Sequence, residues 1–141
     1  ALLVPDLPLE ESGELDGLCR QQQLDLIRFL APTTTPVRME NICDGATGFI
    51  YCVAHAGVTG SGQHVKNEAP MIVEAARAMT KTPLAIGFGI SGPEAAAQAA
   101  AQADAVIVGS AVLEKLKCEG VAGTKRFVAS IRRAIDEGVG A

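Results

Sequence analysis

The chain has no tryptophan, one tyrosine and four phenylalanines in 141 residues. It therefore lacks a basic stripe interleaved with aromatic rings, and twelve Lys and Arg against sixteen Asp and Glu leave a net charge of -4, which disfavours a nucleic-acid partner. The two histidines, His55 and His64, share neither helical nor zinc-ligand spacing, so they read as loop residues and no metal is expected. Cys19, Cys43, Cys52 and Cys118 form no CxxC or Cys/His pattern, and reduced thiols in a cytoplasmic protein are the expectation. No apolar run approaches the roughly eighteen residues of a membrane span, and no basic segment precedes a cleavage site. The chain begins without Met on an apolar run, which suggests a truncated sequence.

What the chain does have is apolar surface: 48% of its residues are hydrophobic, and its length suits a single domain over 1–141. Short apolar runs at Ala1 to Val4, Leu24 to Leu30, Phe49 to Val53, Leu84 to Ile86 and Ala105 to Val108 read as buried parallel strands. Helical segments are expected at Glu10 to Gln22, Asn67 to Thr80, Pro93 to Gln102, from Ala111, and from Gly123 to Glu137, with a short helix around Val37 to Cys43. Ser91 with Glu94 three residues later forms a capping box, and the alanine-rich run Ala95 to Ala105 suits a closely packed helix. The β-α alternation fits either a doubly wound sheet or part of a (β/α) barrel, and pattern alone leaves both open.

Two stretches carry chemistry. Gly87-Phe88-Gly89-Ile90-Ser91-Gly92-Pro93-Glu94 and Ala105-Val106-Ile107-Val108-Gly109-Ser110-Ala111 each join a strand to glycine-rich backbone opening a helix. Unpaired N–H groups at a helix start attract anions, and glycine lets a phosphate approach without a Cβ in the way. In (β/α) barrels the phosphate commonly sits at the loops after the last two strands, so the pair suggests one shared phosphate. The structural alternative is that Gly87 and Gly89 only relieve crowding and that Ser110 is a helix N-cap.

Val4-Pro5-Asp6-Leu7-Pro8-Leu9-Glu10-Glu11, Ala31-Pro32-Thr33-Thr34, Gly48-Phe49-Ile50-Tyr51 and Ala56-Gly57-Val58-Thr59-Gly60, together with the Gly87 loop, run in order through the chain. They closely resemble the tryptophan synthase alpha chain family. The resemblance implies an α/β fold of the eight-stranded TIM-barrel class, here an incomplete barrel of about five parallel strands running from the fourth strand to the end. It implies aldol cleavage of indole-3-glycerol phosphate to indole and glyceraldehyde 3-phosphate by the intact enzyme, a carbon-carbon lyase. The family's catalytic glutamate and aspartate belong to earlier strands and match no residue here, so this stretch alone is expected to be inactive.

The same resemblance assigns residues. Gly60, Phe88, Gly89, Gly109 and Ser110 would bind the substrate phosphate, while Leu3, Pro5, Leu30, Tyr51 and Phe88 would form the indole pocket. Thr59 lies on a loop that closes over substrate in the family, and Tyr51 sits beside the indole; both would support catalysis. Asp6 would matter for structure or subunit contact. No cofactor or metal is implied for this chain, since pyridoxal phosphate belongs to the beta chain, the partner in an alpha2beta2 heterotetramer. Departures from the family pattern are His55 in place of an arginine, and Gln102 and Ala105 in place of glycines, where a required positive φ would bring local strain. Another phosphate-binding barrel, such as a sugar-phosphate isomerase or epimerase, and a non-catalytic half-barrel module are the alternatives. With two unpaired sheet edges and exposed inward-facing apolar side chains, the chain on its own is expected to self-associate or aggregate.

Overall fold

The structure is a computed structural model that describes residues 1–53, 69–87 and 89–139. The chain separates into two compact units, Ala1–Ala85 and Ile86–Ala141. In the first, β1 (Leu2–Leu3), α1 (Gly13–Gln21), β2 (Leu26–Leu30), α2 (Pro36–Asp44), β3 (Ile50–Val53) and α3 (Ala69–Arg77) follow one another. The strand β4 (Leu84–Gly87) runs through the boundary, and α4 (Pro93–Ala100), β5 (Ala105–Ile107) and α5 (Ser110–Val139) follow it.

Strand order in the sheet is the order in the chain, β1 to β5. Leu2 and Leu3 pair in parallel with Leu26 and Ile27, and Arg28, Phe29 and Leu30 with Ile50, Tyr51 and Cys52. Beyond β3, the Ile50 N–H donates to the Pro83 carbonyl at 2.8 Å, just ahead of β4. A doubly wound sheet reverses its strand order at a switch point, whereas a barrel winds in one direction. The unbroken order therefore selects the barrel class between the two topologies that the sequence pattern left open.

Helix boundaries follow local chemistry. Proline at position 36 suits the first turn of α2, and Thr35 holds the cap: its Oγ accepts from the Arg38 N–H at 3.4 Å. The helix expected over Glu10 to Gln22 is instead a 3-10 turn at Leu9–Glu11 followed by α1. The cause is Ser12, whose hydroxyl donates to the Leu9 carbonyl at 2.7 Å and competes with continuous helical bonding. The expected Ser91–Glu94 capping box is also absent. Pro93 takes the first helical position and drives the preceding residue into extended backbone, so Gly92 (φ -169°, ψ -178°) becomes the cap, with no side-chain bond.

The first strand corrects another expectation. The sequence reads Ala1 to Val4 as buried, but β1 spans Leu2–Leu3, with Leu2 38% and Leu3 42% exposed, because β1 ends the sheet order. Deeper in the same unit, Leu30 and Ile50 are wholly enclosed (0%), as is Cys52. Arg28 is half-buried and fastens β2 to α2: one guanidinium nitrogen donates to the Asn41 carbonyl at 3.2 Å and the Ile42 carbonyl at 3.1 Å. The same guanidinium lies over Gly45, where an added Cβ would come within 2.7 Å of it.

In the second unit α4 packs on α5 through small side chains: Ala96 is fully buried, and a Cβ on Gly138 would stand 3.3 Å from that of Ala97. The helix α5 is broken at Gly120 (φ 64°, ψ -170°), so the expectation of two successive helical regions holds. The Thr124 hydroxyl donates to the Gly120 carbonyl at 2.9 Å. The strain foreseen at Gln102 and Ala105 is not found: Gln23 (φ 55°) is the one non-glycine with positive φ among the described residues. Among the described residues no helix is long and apolar enough to cross a membrane.

Candidate functional site

Side chains alternate across a strand, and Arg28 and Cys52 settle which face is which. Arg28 reaches α2, so Leu26, Arg28 and Leu30 point to the helices, together with their partners Ile50 and Cys52. Leu3, Ile27, Phe29 and Tyr51 occupy the other face. Phe29 and Tyr51 are register partners, and their rings stack with centroids 5.2 Å apart and planes inclined by 29°. Both rings are half-buried, and burial raises the Tyr51 hydroxyl above the ordinary tyrosine value.

Of the residues expected in the ring pocket, Leu3 and Tyr51 thus share one face. Pro5 is exposed just beyond β1. Leu30 has no exposed surface and stands on the position alternating with Phe29. The sequence reading counts Phe29 only as a strand apolar residue, and no signal in the sequence could have placed it against Tyr51, because strand register is not written locally. Below the Val4 to Leu9 segment lies a cavity of ≈ 260 Å³, lined by Pro5, Asp6, Arg28, Phe29, Thr34 and Arg38 among others. The Arg38 guanidinium is bonded across its rim to Glu10 through two contacts of 2.6 and 2.9 Å, which hold the Glu10 carboxyl below its usual value.

In the second unit the two glycine-rich ends lie at neighbouring strands. Gly89 stands two residues beyond the end of β4 and Gly109 two beyond the end of β5, so both loops leave the same edge of the parallel pair. Gly89 has φ +72°, a conformation that costs an L side chain about 1 kcal/mol, and open space surrounds its Cα. The Gly109 carbonyl accepts from the N–H groups of Val112 (3.0 Å) and Leu113 (3.1 Å), so Gly109 caps α5 and Ser110 is its first helical residue. A Cβ on Gly109 would meet nothing within 4 Å. Gly89, Gly109 and Ser110 are all exposed. Thr59, Gly60, His55, His64 and Phe88 lie outside the described residues.

Among the described residues no cluster of three His, Cys, Asp or Glu could hold a metal ion. The thiols differ sharply in access: Cys19, Cys43 and Cys52 are buried, and Cys118 is exposed. Burial pushes the Cys43 thiol up, partly offset by Arg28, and takes Cys52 to about 12, with neighbouring Cys43 adding to the shift and Arg77 opposing it. Because the thiolate is the reacting form, a disulfide reagent at pH 8 should modify Cys118 alone in the native chain and all four cysteines after denaturation. Rapid native labelling of Cys52 would contradict the enclosure described above.

The family model described as tryptophan synthase alpha chain matches residues 1–136. The tryptophan synthase alpha chain of Chloroflexus aurantiacus is 40% identical over 137 residues, covering 94% of this chain and 52% of that protein. That of Synechococcus elongatus is 43% identical over 136 residues, covering 96% and 51%. A tryptophan synthase structure from Mycobacterium tuberculosis superposes with a TM-score of 0.84 at 31% identity, covering 96% of this chain and 51% of that one. The chain spans about half the length of the curated relatives it matches.

Proposed function

The chain belongs to the tryptophan synthase alpha chain family, and from that premise we propose that it carries the phosphate site and part of the indole pocket of a lyase of tryptophan biosynthesis. The reaction is aldol cleavage of indole-3-glycerol phosphate to indole and glyceraldehyde 3-phosphate. Breaking that carbon–carbon bond requires a proton delivered to the indole ring carbon and a proton taken from the adjacent glycerol hydroxyl. No residue of this sequence matches the family's glutamate and aspartate, so those transfers belong to the full-length proteins, and this stretch is inactive alone. Its own residues bind and orient.

For the phosphate the proposed donors are the backbone N–H groups of Gly89, Gly109 and Ser110; the family resemblance would add Gly60 and Phe88. The observation that carries the reading is the pair of open glycines, each two residues past the end of one of two neighbouring strands and each leading into a helix. Backbone donors at a helix start favour a dianion without any lysine or arginine, and the positive end of the helix adds to them. For the ring the proposed wall is Leu3, Pro5 and Tyr51, on a sheet backed by the enclosed Leu30; the family resemblance would add Phe88. Thr59 acts from its loop as a supporting residue. The chain needs no cofactor; the proposed partner is the beta chain, which holds the pyridoxal phosphate, and the proposed compartment is the cytoplasm.

Titration of the 141-residue chain with glycerol 3-phosphate, followed by amide NMR, tests the anion site. The Gly89, Gly109 and Ser110 N–H resonances should shift together with a single affinity. Amides that stay unmoved at millimolar ligand would overturn it.

A further inference from the structure

We propose that Phe29 is a positioning residue for the indole slot, holding the Tyr51 ring at the tilt at which it meets a flat bicyclic substrate. The inference rests on the ring-pocket reading given above and adds to it a residue which that reading does not contain.

Tyr51 sits in β3 between Ile50 and Cys52, both enclosed on the helix side, so its backbone is fixed and only its side-chain torsions remain to be set. Its two strand neighbours are unequal. The Ile50 N–H bond to the Pro83 carbonyl aligns Ile50 with Leu84 in a parallel ladder, and hence Tyr51 with Ala85. Ala85 offers a single methyl group, which cannot fix the rotation of a phenol ring. On the other side stands Phe29, in register, with its centroid 5.2 Å from that of Tyr51 and an inclination of 29°. That separation lies in the range where aromatic pairs attract beyond simple area burial.

Neither ring is swallowed by the core, since both are half-buried. The pair therefore presents aromatic surface while one ring braces the other. A side chain that only filled space would be served as well by leucine. A side chain that orients its neighbour would not.

The absence of tryptophan and the single tyrosine make the test clean. Added indole is the only indole group in solution, so its fluorescence anisotropy reads binding, and the tyrosine band of the near-ultraviolet circular dichroism reads the setting of Tyr51 alone. Phe29→Leu and Phe29→Ala should weaken indole binding by about tenfold and reduce the tyrosine band, while glycerol 3-phosphate affinity stays unchanged. Phe29→Tyr, which keeps the stack, should restore indole affinity; its added phenol contributes to the tyrosine band, so this variant is read by indole anisotropy alone. Unchanged indole affinity in Phe29→Leu would overturn the proposal. So would an equal loss of indole and glycerol phosphate binding, which marks general damage to the fold. A native chain that binds glycerol 3-phosphate but never indole would remove the ring-pocket reading itself. In that case an intact tyrosine band in Phe29→Ala would refute the bracing as well, and a diminished band would leave it standing as a structural contact, with the substrate role overturned.

Discussion

Leu30→Ala should lower the unfolding free energy by about 2 to 5 kcal/mol, the range for truncating an enclosed leucine whose surroundings relax only in part. Leu30 has no solvent exposure, lies in a strand with neighbours on both sides, and faces the layer that Arg28 ties to α2. Leu3→Ala, by contrast, should change stability by no more than about 0.5 kcal/mol, because Leu3 keeps 42% of its surface in solvent. Urea titrations monitored by far-ultraviolet circular dichroism separate the two. Resemblance assigns both leucines to the ring pocket, but they stand on opposite faces of the sheet: Leu30 faces the helices and supports the strand from behind, and only Leu3 shares the face of Tyr51. A Leu30→Ala chain as stable as its parent would mean that the sheet does not close over this position.

The second large effect is expected from Gly109→Asp. An aspartate at a helix cap accepts from exposed N–H groups and favours the helix, and a Cβ at this position meets nothing within 4 Å, so the variant should fold at least as well as the parent. A carboxylate about 5 Å from a phosphate dianion nevertheless repels it by roughly 2 to 7 kcal/mol for effective dielectric constants between 80 and 20. Glycerol 3-phosphate binding should therefore fall by at least about twentyfold while the melting temperature holds or rises. Calorimetric titration and a thermal melt on the same sample check both halves. Stability gained with phosphate affinity intact would show that Gly109 serves only as the end of a helix, the structural alternative noted for these glycines.

The chain's elements were legible in order because each strand is a short apolar run and each crossover a longer mixed one; all five strands and the helices between them lie where that pattern puts them, within a few residues. The glycine-rich ends were legible for the same reason, as backbone without side chains between a strand and a helix. What escaped were outcomes decided by competition between neighbours. Ser91 has the chemistry of a cap, but Pro93 moves the helix start by one residue. Ser12 divides a helical pattern because its hydroxyl finds the Leu9 carbonyl first. Phe29 escaped for a different reason: its role depends on which residue of β3 lies beside it, and strand register is set by the assembled sheet rather than by either segment. The unbroken strand order, which decides the fold class, likewise exists only once the strands have paired.

Arg28 and Gly45 are seventeen positions apart, yet the guanidinium occupies the volume a methyl at 45 would need. A methyl at 45 would have to push that flexible guanidinium aside. What such a displacement costs is the shared donor: moving or losing the guanidinium would release two carbonyls of α2. Gly45→Ala should therefore act through α2, loosening the end of that helix to the extent that the guanidinium leaves the Asn41 and Ile42 carbonyls.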